Sequence, residues 1–319
     1  MSMLYSDSDS YSSVNRSRSA SESPVFTTTT QSDKAIGVDI CDKSTAELKK
    51  YRKLWWDQGI LHPKANWDNT ELPYILIEGV SLEKYEQRGD FFNIHNFWEW
   101  SCDTVTVVEL PTKIHEVCVG SISFELMNAC RDIMRTNAQI YNLGATRTRG
   151  NGSGKESDAS FGPEKQEVTP PNGSDGNAEP WPNIVIEVAY LETVQHVMDK
   201  VQTYWLHDDR VHDVIVVKIN PVSKGQLPSR MKAWHFCISS GRLPNGTIPA
   251  KTMFEFGTRD EFGNVLNIQQ GACVINIQLD CLYHDLLPNI QIPKNILPDP
   301  IVLDFFFVRH AILKIGKHI

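Results

Sequence analysis

The chain lacks long apolar runs, and this absence argues against a membrane-spanning helix. Its longest apolar segments, at residues 214–217 and 305–308, are far shorter than the roughly 20 apolar residues that such a helix needs. The first residues, MSMLYSDSDSYSS, lack a basic start followed by an apolar block, so we expect no signal peptide. The sequence therefore predicts an intracellular protein, cytoplasmic or nuclear, with no membrane partner.

Closely spaced cysteines are also lacking. The seven cysteines are scattered, and none of them forms a C-x-x-C pair. The odd number, and the position of several cysteines inside apolar segments, argue against a disulfide framework and against a zinc site. We interpret all seven as buried, reduced residues: Cys41, Cys102, Cys118, Cys130, Cys237, Cys273 and Cys281.

Basic residues are in the minority, because 31 Lys and Arg stand against 39 Asp and Glu, a formal net charge of −8. This balance argues against a strongly basic nucleic-acid-binding protein. A local basic groove stays compatible with it, since electrostatic steering depends on where the charges lie. No nucleophile elbow of the form G-x-S-x-G occurs, and the glycine-rich stretch at residues 150–154 lacks the spacing of a P-loop.

The composition that remains is that of a soluble globular protein behind a polar first segment. Residues 1–46 are rich in Ser, Thr and Asp and poor in aliphatic residues, which predicts a disordered tail. The hydrophobic fraction of the chain is 41%, an ordinary value for a globular protein. We therefore expect residues 47–319 to form one domain.

The clearest secondary-structure pattern covers residues 112–220. An apolar stripe at helical spacing predicts a long first helix, and the last strand follows a second helix that Thr193 caps. The expected elements are a helix at 112–137, strands at 139–149, 158–161 and 181–190, a polar loop at 164–180, a helix after Thr193 and a strand at 212–219. The order helix, strand, strand, strand, helix, strand predicts an α/β core with a mixed central sheet, because a helix between two strands favours a parallel crossover.

Outside this core the patterns are weaker. Ser44 begins a capping-box pattern before a short predicted helix at residues 49–58. Residues 274–282 are typical of a strand, and residues 300–314 predict a closing helix, with a buried strand as the alternative. The aromatic group at residues 91–100 could stack on bases, but we favour core packing because clustered aromatic residues usually fill interiors.

Two acidic residues stand at the ends of predicted strands. Asp158 begins the short strand pattern DASF, and Glu187 ends the apolar run Ile184–Ile186. A buried acid is costly unless it is paired with a cation or bound to a metal, so Glu187 needs one or the other. Two carboxylates at neighbouring strand ends, facing one cleft, are what a divalent cation needs in order to bind and polarise a phosphate.

These residues and the order of elements resemble the PD-(D/E)XK nuclease superfamily, and more closely the Uma-type restriction endonuclease family and its eukaryotic, fungal-like relatives. The resemblance covers about residues 70–220 and rests on KIHE at 113–116, SDASF at 157–161, PNIVIEV at 182–188 and the helix that contains Lys200. It implies a restriction-endonuclease-like core over about residues 112–220, followed by extra C-terminal elements.

The resemblance also implies roles for individual residues. Asp158 and Glu187 would bind Mg²⁺ or Mn²⁺, and the backbone carbonyl of Val188 would complete the ligand shell. Glu116 would point from the first helix toward the same cleft, and His115 stands where family members often carry a His. The implied partner is nucleic acid, DNA in preference to RNA, and a homodimer is compatible with the superfamily.

The sequence departs from the family pattern at Ala189. In the superfamily a Lys follows the strand Glu by two residues, and the methyl group of Ala189 can neither orient water nor offset negative charge. Uma-type members often carry this lysine on the next helix, where Lys200 stands in this chain. Lys200 would then position the attacking water or stabilise the transition state; the alternative is a solvated lysine on the polar face of its helix.

Two functions are compatible with this departure. If Lys200 replaces the missing lysine, the protein is a metal-dependent endonuclease that hydrolyses phosphodiester bonds, with Asp158, Glu187 and Lys200 as catalytic residues. If it does not, the fold is a catalytically inactive module that binds nucleic acid or protein. The arginines at 131, 135, 147 and 149 fit either a phosphate-contacting patch or ion pairs with surface acids.

Overall fold

The structure is a computed structural model that describes residues 41–67, 70–150, 152–175, 177–223 and 226–316, without the side chains of residues 41–43. Residues 1–40 of the predicted tail lie outside the described residues, whereas residues 41–46 belong to the first helix. No helix in the described residues is long and apolar enough to cross a membrane.

The described residues contain six α-helices and thirteen strands. The helices are α1 (Cys41–Gln58), α2 (Leu82–Phe92), α3 (Lys113–Ala129), α4 (Val194–Lys200), α5 (Leu279–Leu282) and α6 (Phe305–Gly316). The strands are β1 (Tyr74–Glu78), β2 (Trp98–Ser101), β3 (Thr104–Val107), β4 (Ile140–Gly144), β5 (Arg147–Gly150), β6 (Ser153–Glu156), β7 (Ala159–Pro163), β8 (Ile184–Ala189), β9 (Asp213–Ile219), β10 (Met231–Cys237), β11 (Ala250–Glu255), β12 (Val274–Ile277) and β13 (Ile301–Asp304).

The strands form a large sheet, a small sheet and a separate hairpin. The large sheet has the order β11-β10-β9-β8-β7-β4, the small sheet has the order β1-β3-β2-β6-β5, and β12 pairs with β13. In the large sheet β8 and β9 are parallel, and the other pairs are antiparallel. The helix α4 makes the crossover between the two parallel strands, as expected from the need for a long connection.

The large sheet confirms the predicted core. The elements α3, β4, β7, β8, α4 and β9 follow in the expected order of helix, strand, strand, strand, helix and strand, and further elements follow toward the C-terminus. The side chain of Thr112 accepts the amide N–H of His115 and so starts α3, and Thr193 does the same for His196 in α4. The predicted α/β fold class with a mixed central sheet is thus confirmed.

Helices cover both faces of the large sheet, which explains the apolar run in β8. On one face Ile186 packs in a core with Ile122 of α3 and Phe305 of α6. On the other face Val185 packs with Trp205, which follows α4. Because side chains alternate along a strand, Glu187 shares the face of Val185, the face that α4 covers.

The small sheet has its own aromatic core. Trp55 and Trp56 of α1 pack there with Trp98 of β2. The core interpretation of the aromatic group is confirmed for Trp98 and Trp100, which are buried, whereas Phe91 is 80% exposed.

The hairpin of β5 and β6 is an insertion that the sequence did not reveal. The chain leaves the large sheet after β4, forms β5 and β6 in the small sheet, and returns to the large sheet at β7. The prediction of one strand over 139–149 is therefore wrong, because residues 145–146 carry the chain from one sheet to the other.

Several boundaries also differ from expectation. Helix α1 begins at Cys41, so Ser44 lies inside the helix and does not cap it. Residues 274–282 form β12 and then α5, not one strand. Residues 300–314 form both proposed structures in succession, because β13 ends at Asp304 and α6 begins at Phe305. The carboxylate of Asp304 accepts the N–H of Phe306 at 3.0 Å, in the first turn of α6. Cys102 is exposed, contrary to the expectation that all cysteines are buried.

Candidate functional site

Asp158 and Glu187 lie side by side on neighbouring strands. Ala159 of β7 pairs with Ile186 of β8, and one further step in this antiparallel register places Asp158 opposite Glu187. The amide N–H of Asp158 donates to the carbonyl of Ile186 at 3.2 Å. The amide N–H of Val188 donates to Oδ2 of Asp158 at 2.6 Å. The two acids that the sequence predicted to form a pair are therefore brought together by backbone pairing.

Lys200, at the end of α4, reaches back to the acids. Its ammonium group lies 2.8 Å from Oε2 of Glu187. It also lies 3.1 Å from Oε1 of Glu99 and 3.6 Å from Oε1 of Glu192. The Lys200 side chain is only 4% exposed. Lys200 is thus a buried member of an acidic cluster and not a solvated lysine on a polar helix face.

The second oxygen of Glu187 is held by the segment that follows α4. Residues Val201–Trp205 form a π-helical turn, in which the N–H of Leu206 donates to the carbonyl of Val201 at 2.9 Å. This turn directs the indole N–H of Trp205 to Oε1 of Glu187 at 2.5 Å. Each carboxylate oxygen of Glu187 therefore has one protein partner.

Four further members of the cluster were not predicted: Glu99, Lys155, Glu192 and His196. Glu99 comes from β2 of the small sheet, where its carboxylate also pairs with the ammonium group of Lys155. Glu192 lies in the turn between β8 and α4, and its Oε1 is 2.5 Å from Nδ1 of His196. We use the term acidic cluster for Glu99, Asp158, Glu187, Glu192 and His196 together with Lys155 and Lys200.

Sequence signals for three of these residues were weak but present. Glu99 is a single charged residue between two tryptophans in the pattern WEW, and all three residues are buried in β2. Glu192 and His196 are four residues apart across the start of α4, a spacing at which helical side chains meet.

A buried acid, Glu109, fixes the turn that carries Glu192. Its Oε2 accepts the N–H groups of Tyr190 at 2.6 Å, Leu191 at 2.7 Å and Glu192 at 3.2 Å. Burial leaves the pKa of Glu109 raised, although His115 and the N–H groups of Leu110, Leu191 and Glu192 lower it. The turn that connects β8 to α4 is therefore anchored from the segment before α3, and this anchor sets the direction of α4 toward the sheet.

The other side of Asp158 contacts a buried histidine and an asparagine. Nε2 of His115 lies 3.2 Å from Oδ1 of Asp158, and Nδ2 of Asn96 donates to the same oxygen at 2.7 Å. Burial by itself lowers the pKa of His115, but the carboxylate of Asp158 raises it well above its ordinary value. Burial is the largest single influence on the pKa of Asp158 and raises it, but His115, Lys200 and the amide of Val188 together leave this pKa lowered. Each of the two side chains thus favours the charged form of the other.

Glu116 lies at the edge of this arrangement. Its side chain is 58% exposed, and its Oε1 lies 3.1 Å from Nδ1 of His115. Glu116 therefore contacts Asp158 indirectly, through the imidazole ring. The amide N–H of Val188 donates to Asp158. The carbonyl of Val188, which was predicted to bind metal, is part of strand β8. Metal binding by Glu116 and Val188 stays a prediction.

Burial and crowding shift the ionisation of the acids around Lys200. Burial raises the pKa of Glu187 to about 8, against the opposing influence of Lys200. Burial also raises the pKa of Glu99, but Lys155 and Lys200 lower it to about 2. Burial lowers the pKa of Lys200, and the carboxylates of Glu187, Glu192 and Glu99 raise it well above its ordinary value. The surrounding acids therefore favour the charged form of Lys200. Three carboxyl groups lie within 4 Å of its single ammonium group, so their negative charge exceeds its positive charge if all three are ionised.

The donor set is compatible with a divalent cation. One carboxylate oxygen from each of Glu99 and Glu192 and a ring nitrogen of His196 lie within 4.8 Å of one another. Carboxylates and imidazole are common ligands of such ions, and an ionised carboxylate offers about four lone-pair sites. Glu187, with two protein partners, keeps sites free for a metal, and Asp158, with three, keeps fewer.

Three of the four arginines considered for a phosphate-contacting patch form ion pairs, and that of the exposed Arg131 with Asp132 is the longest, at 3.5 Å. Arg147 contacts Glu156 and Asp90, with Nε 2.5 Å and Nη1 3.0 Å from the respective carboxylates. Arg149 donates two hydrogen bonds of 2.7 Å to Glu86. For these two residues the ion-pair interpretation is the one that the geometry supports.

Comparisons with known proteins give only weak structural similarity, from a few chains of solved structures. No protein-family model matches the chain, and no curated protein matches it. Among solved structures, a crystal structure described as that of a candidate nuclease belonging to DUF820, from Anabaena variabilis, is similar with a TM-score of 0.36 and 12% sequence identity. The match covers 68% of this chain and 91% of that chain. A similarity of this size does not establish function.

Proposed function

We propose that the protein is a metal-dependent nuclease that hydrolyses phosphodiester bonds in nucleic acid. The observation that carries the proposal is the position of Lys200. Its ammonium group lies 2.8 Å from Glu187, the acid opposite Asp158, although the residue two positions after Glu187 is an alanine. A lysine from the next helix thus supplies the cation that the strand lacks, next to a pair of carboxylates.

In this proposal Asp158 and Glu187 hold Mg²⁺ or Mn²⁺, with Glu99, Glu192 and His196 as further donors. When bound, such an ion polarises the phosphate and lowers the pKa of a bound water. Lys200 contributes a fixed positive charge close to the developing negative charge of the transition state. His115 and Asn96 would position Asp158, since Nε2 of His115 lies 3.2 Å from Oδ1 and Asn96 donates to the same oxygen.

A second candidate is a catalytically inactive module that keeps the fold and binds nucleic acid or protein. Burial favours this candidate, because the side chains of Glu187, Lys200 and Glu192 are each at most 4% exposed. His196, with 25% exposure, is the most open member of the acidic cluster. A polymer reaches buried carboxylates only if the surrounding elements move, and a permanently closed cluster would serve stability alone.

Cleavage assays separate the two candidates. The purified chain with Mn²⁺ is expected to nick plasmid DNA or to cut single strands, and Asp158→Asn, Glu187→Gln and Lys200→Met are each expected to abolish the activity. Lys165→Met is the matched control, because Lys165 is a largely buried lysine that bonds to Trp181 and Asn183, away from the acidic cluster.

The outcomes are distinct. Activity that survives all three substitutions would exclude the site, even with the fold unchanged. A folded protein that cuts neither DNA nor RNA with Mg²⁺ or Mn²⁺, but shifts either one in a gel, would favour the inactive module. The choice between DNA and RNA follows from the same assay with matched substrates.

A further inference from the structure

A second group of ionisable side chains lies at the opposite end of the large sheet. Asp213 is the first residue of β9 and Cys237 is the last residue of β10, and the two are direct partners in the antiparallel register. Cys281 approaches them from α5. Asn183 fixes this approach, because its side-chain amide donates to the carbonyl of Leu282 at 2.8 Å. The proposed nuclease site uses none of these residues.

The distances in this group suit a metal better than a disulfide. The two sulfur atoms are 3.4 Å apart, and a carboxylate oxygen of Asp213 and both sulfurs lie within 4.8 Å of one another. Two thiolates on a tetrahedral zinc ion, with Zn–S bonds of about 2.3 Å, are separated by about 3.8 Å. A disulfide would require about 2.05 Å. All three side chains are buried.

The carboxylate of Asp213 supplies independent support for a ligand. Its Oδ1 lies 2.5 Å from Nε2 of His235, while Oδ2 has no hydrogen-bond partner among the described residues. Asp213 is fully buried, so this free oxygen is costly unless something binds it. A histidine that orients a carboxylate from behind is typical of the outer shell of metal sites.

We propose that Asp213, Cys237 and Cys281 form a binding site for Zn²⁺. Three protein ligands leave a fourth position of the tetrahedron for water or another small ligand. Binding forms two Zn–S bonds and releases the thiol protons to the buffer, with no change in oxidation state.

The proposed zinc site would connect the large sheet to the C-terminal elements. Cys237 and Asp213 belong to the sheet, whereas Cys281 belongs to α5, which leads into the segment before β13 and α6. Zinc would therefore fasten the region that covers α3. Its removal is expected to lower the temperature of unfolding, because a ligand that binds only the folded state stabilises it.

Metal analysis of the full chain tests the proposal. Protein purified under reducing conditions with Zn²⁺ is expected to retain one zinc ion per chain, and Co²⁺ in its place is expected to give a thiolate-to-cobalt charge-transfer band. Cys237→Ser and Cys281→Ser should lose both signals. Cys130→Ser is the matched control, since Cys130 is buried in the core between α3 and the sheet. His235→Gln should weaken zinc binding about 10–100-fold.

A measurement on the unaltered chain covers the case in which the variants do not fold. In urea just below the unfolding transition, where transient opening exposes these buried thiols, Zn²⁺ is expected to protect Cys237 and Cys281 from iodoacetamide, whereas the exposed Cys102 should react with or without the metal. Peptide mapping by mass spectrometry reads all three sites in one experiment. Equal alkylation with and without Zn²⁺, or a Cys237–Cys281 disulfide as the form isolated under reducing conditions, would overturn the proposal.

Discussion

Lys200 occupies the point where three acidic side chains from different segments meet. Glu187 comes from β8, Glu192 from the following turn, and Glu99 from the small sheet. An ammonium group in this position balances charge that burial would otherwise make very costly. The consequence of its removal differs from the loss of an ordinary surface lysine.

We predict that Lys200→Met lowers the free energy of unfolding by about 3–5 kcal/mol, because it leaves buried carboxylates without their cation. Urea unfolding at neutral pH measures this loss. The control Lys165→Met removes a lysine that donates to two neutral acceptors, the carbonyl of Trp181 and the side chain of Asn183, and it should cost less. Equal losses for the two variants would contradict the prediction.

We also predict a pH dependence from Glu187, whose pKa burial raises from 4.5 to about 8. The folded chain holds this proton over a range in which the unfolded chain has released it. The stability that it contributes is therefore fully present below pH 4.5 and is lost as the pH rises toward 8.

The measurement is the difference in unfolding free energy between the wild type and Glu187→Gln at several pH values. This difference should change by up to about 1.4 kcal/mol per pH unit over that range. Lys200, Asp158 and Glu192 face Glu187 in both proteins, so their own titration largely cancels in the difference. Parallel stability curves would show that Glu187 is ionised throughout.

At the scale of elements, the π-helical turn after α4 places two aromatic side chains. Trp205 binds Glu187 on the large sheet, and the hydroxyl of Tyr204 lies 2.7 Å from Oγ1 of Thr148 on the small sheet. A π-helical turn contains one residue more than the α-helix that it interrupts. Without that residue, the side chains after it would rotate by about 100°.

We therefore predict that deletion of the exposed Thr203 converts the turn to α-helix and breaks both contacts. The loss of unfolding free energy should exceed about 2 kcal/mol, because buried polar groups would lose their partners at about 1–3 kcal/mol each. Urea unfolding followed by tryptophan fluorescence measures it. Thr203→Ala keeps the length of the segment and removes only the bond to the carbonyl of Asp199, so a similar loss in this variant would refute the explanation.

The same scale shows what the sequence could predict. The periodic patterns predicted α3, β7, β8, α4 and β9, because their apolar residues face a sheet or helices throughout. The β5–β6 hairpin escaped prediction because its glycines and charged residues resemble a polar turn, while pairing with β2 makes it a strand. The change from β13 to α6 depends on a local contact, that of the Asp304 carboxylate with the N–H of Phe306, which periodicity does not contain.

At the scale of the whole molecule, the acidic cluster joins the two sheets. Glu187 and Lys200 belong to the large sheet and its helix and Asp158 directly precedes β7, whereas Glu99 and Lys155 belong to the small sheet. The family resemblance singled out Asp158, Glu187 and Lys200, because the motifs that carry it lie along one sheet and its following helix. It could not predict Glu99, since the pairing of two separate sheets determines which of 39 acidic residues reaches Lys200.

We predict that Glu99 and Lys200 are energetically coupled across the sheets. A double-mutant cycle with Glu99→Gln and Lys200→Met should give about 1–3 kcal/mol, as expected for residues in one buried network. A control cycle on Lys53 and Asp57, an exposed pair within α1, should give about 0.3–0.5 kcal/mol. A Glu99–Lys200 coupling no larger than the control would mean that the sheets are held together without this contact.

The insertion of β5 and β6 between β4 and β7 restricts how the two sheets can move. Two short connections, residues 145–146 and residues 157–158, tie the small sheet to the large one, and the hydroxyls of Thr146 and Ser160 lie 3.2 Å apart beside them. Connections of two residues cannot lengthen by more than a few ångströms, about 3.5 Å per residue. If the two sheets separate to admit a polymer to the acidic cluster, they must therefore rotate about these two connections. Asp158 belongs to one of the connections, so it would stay near the axis while Glu99 travels away from it.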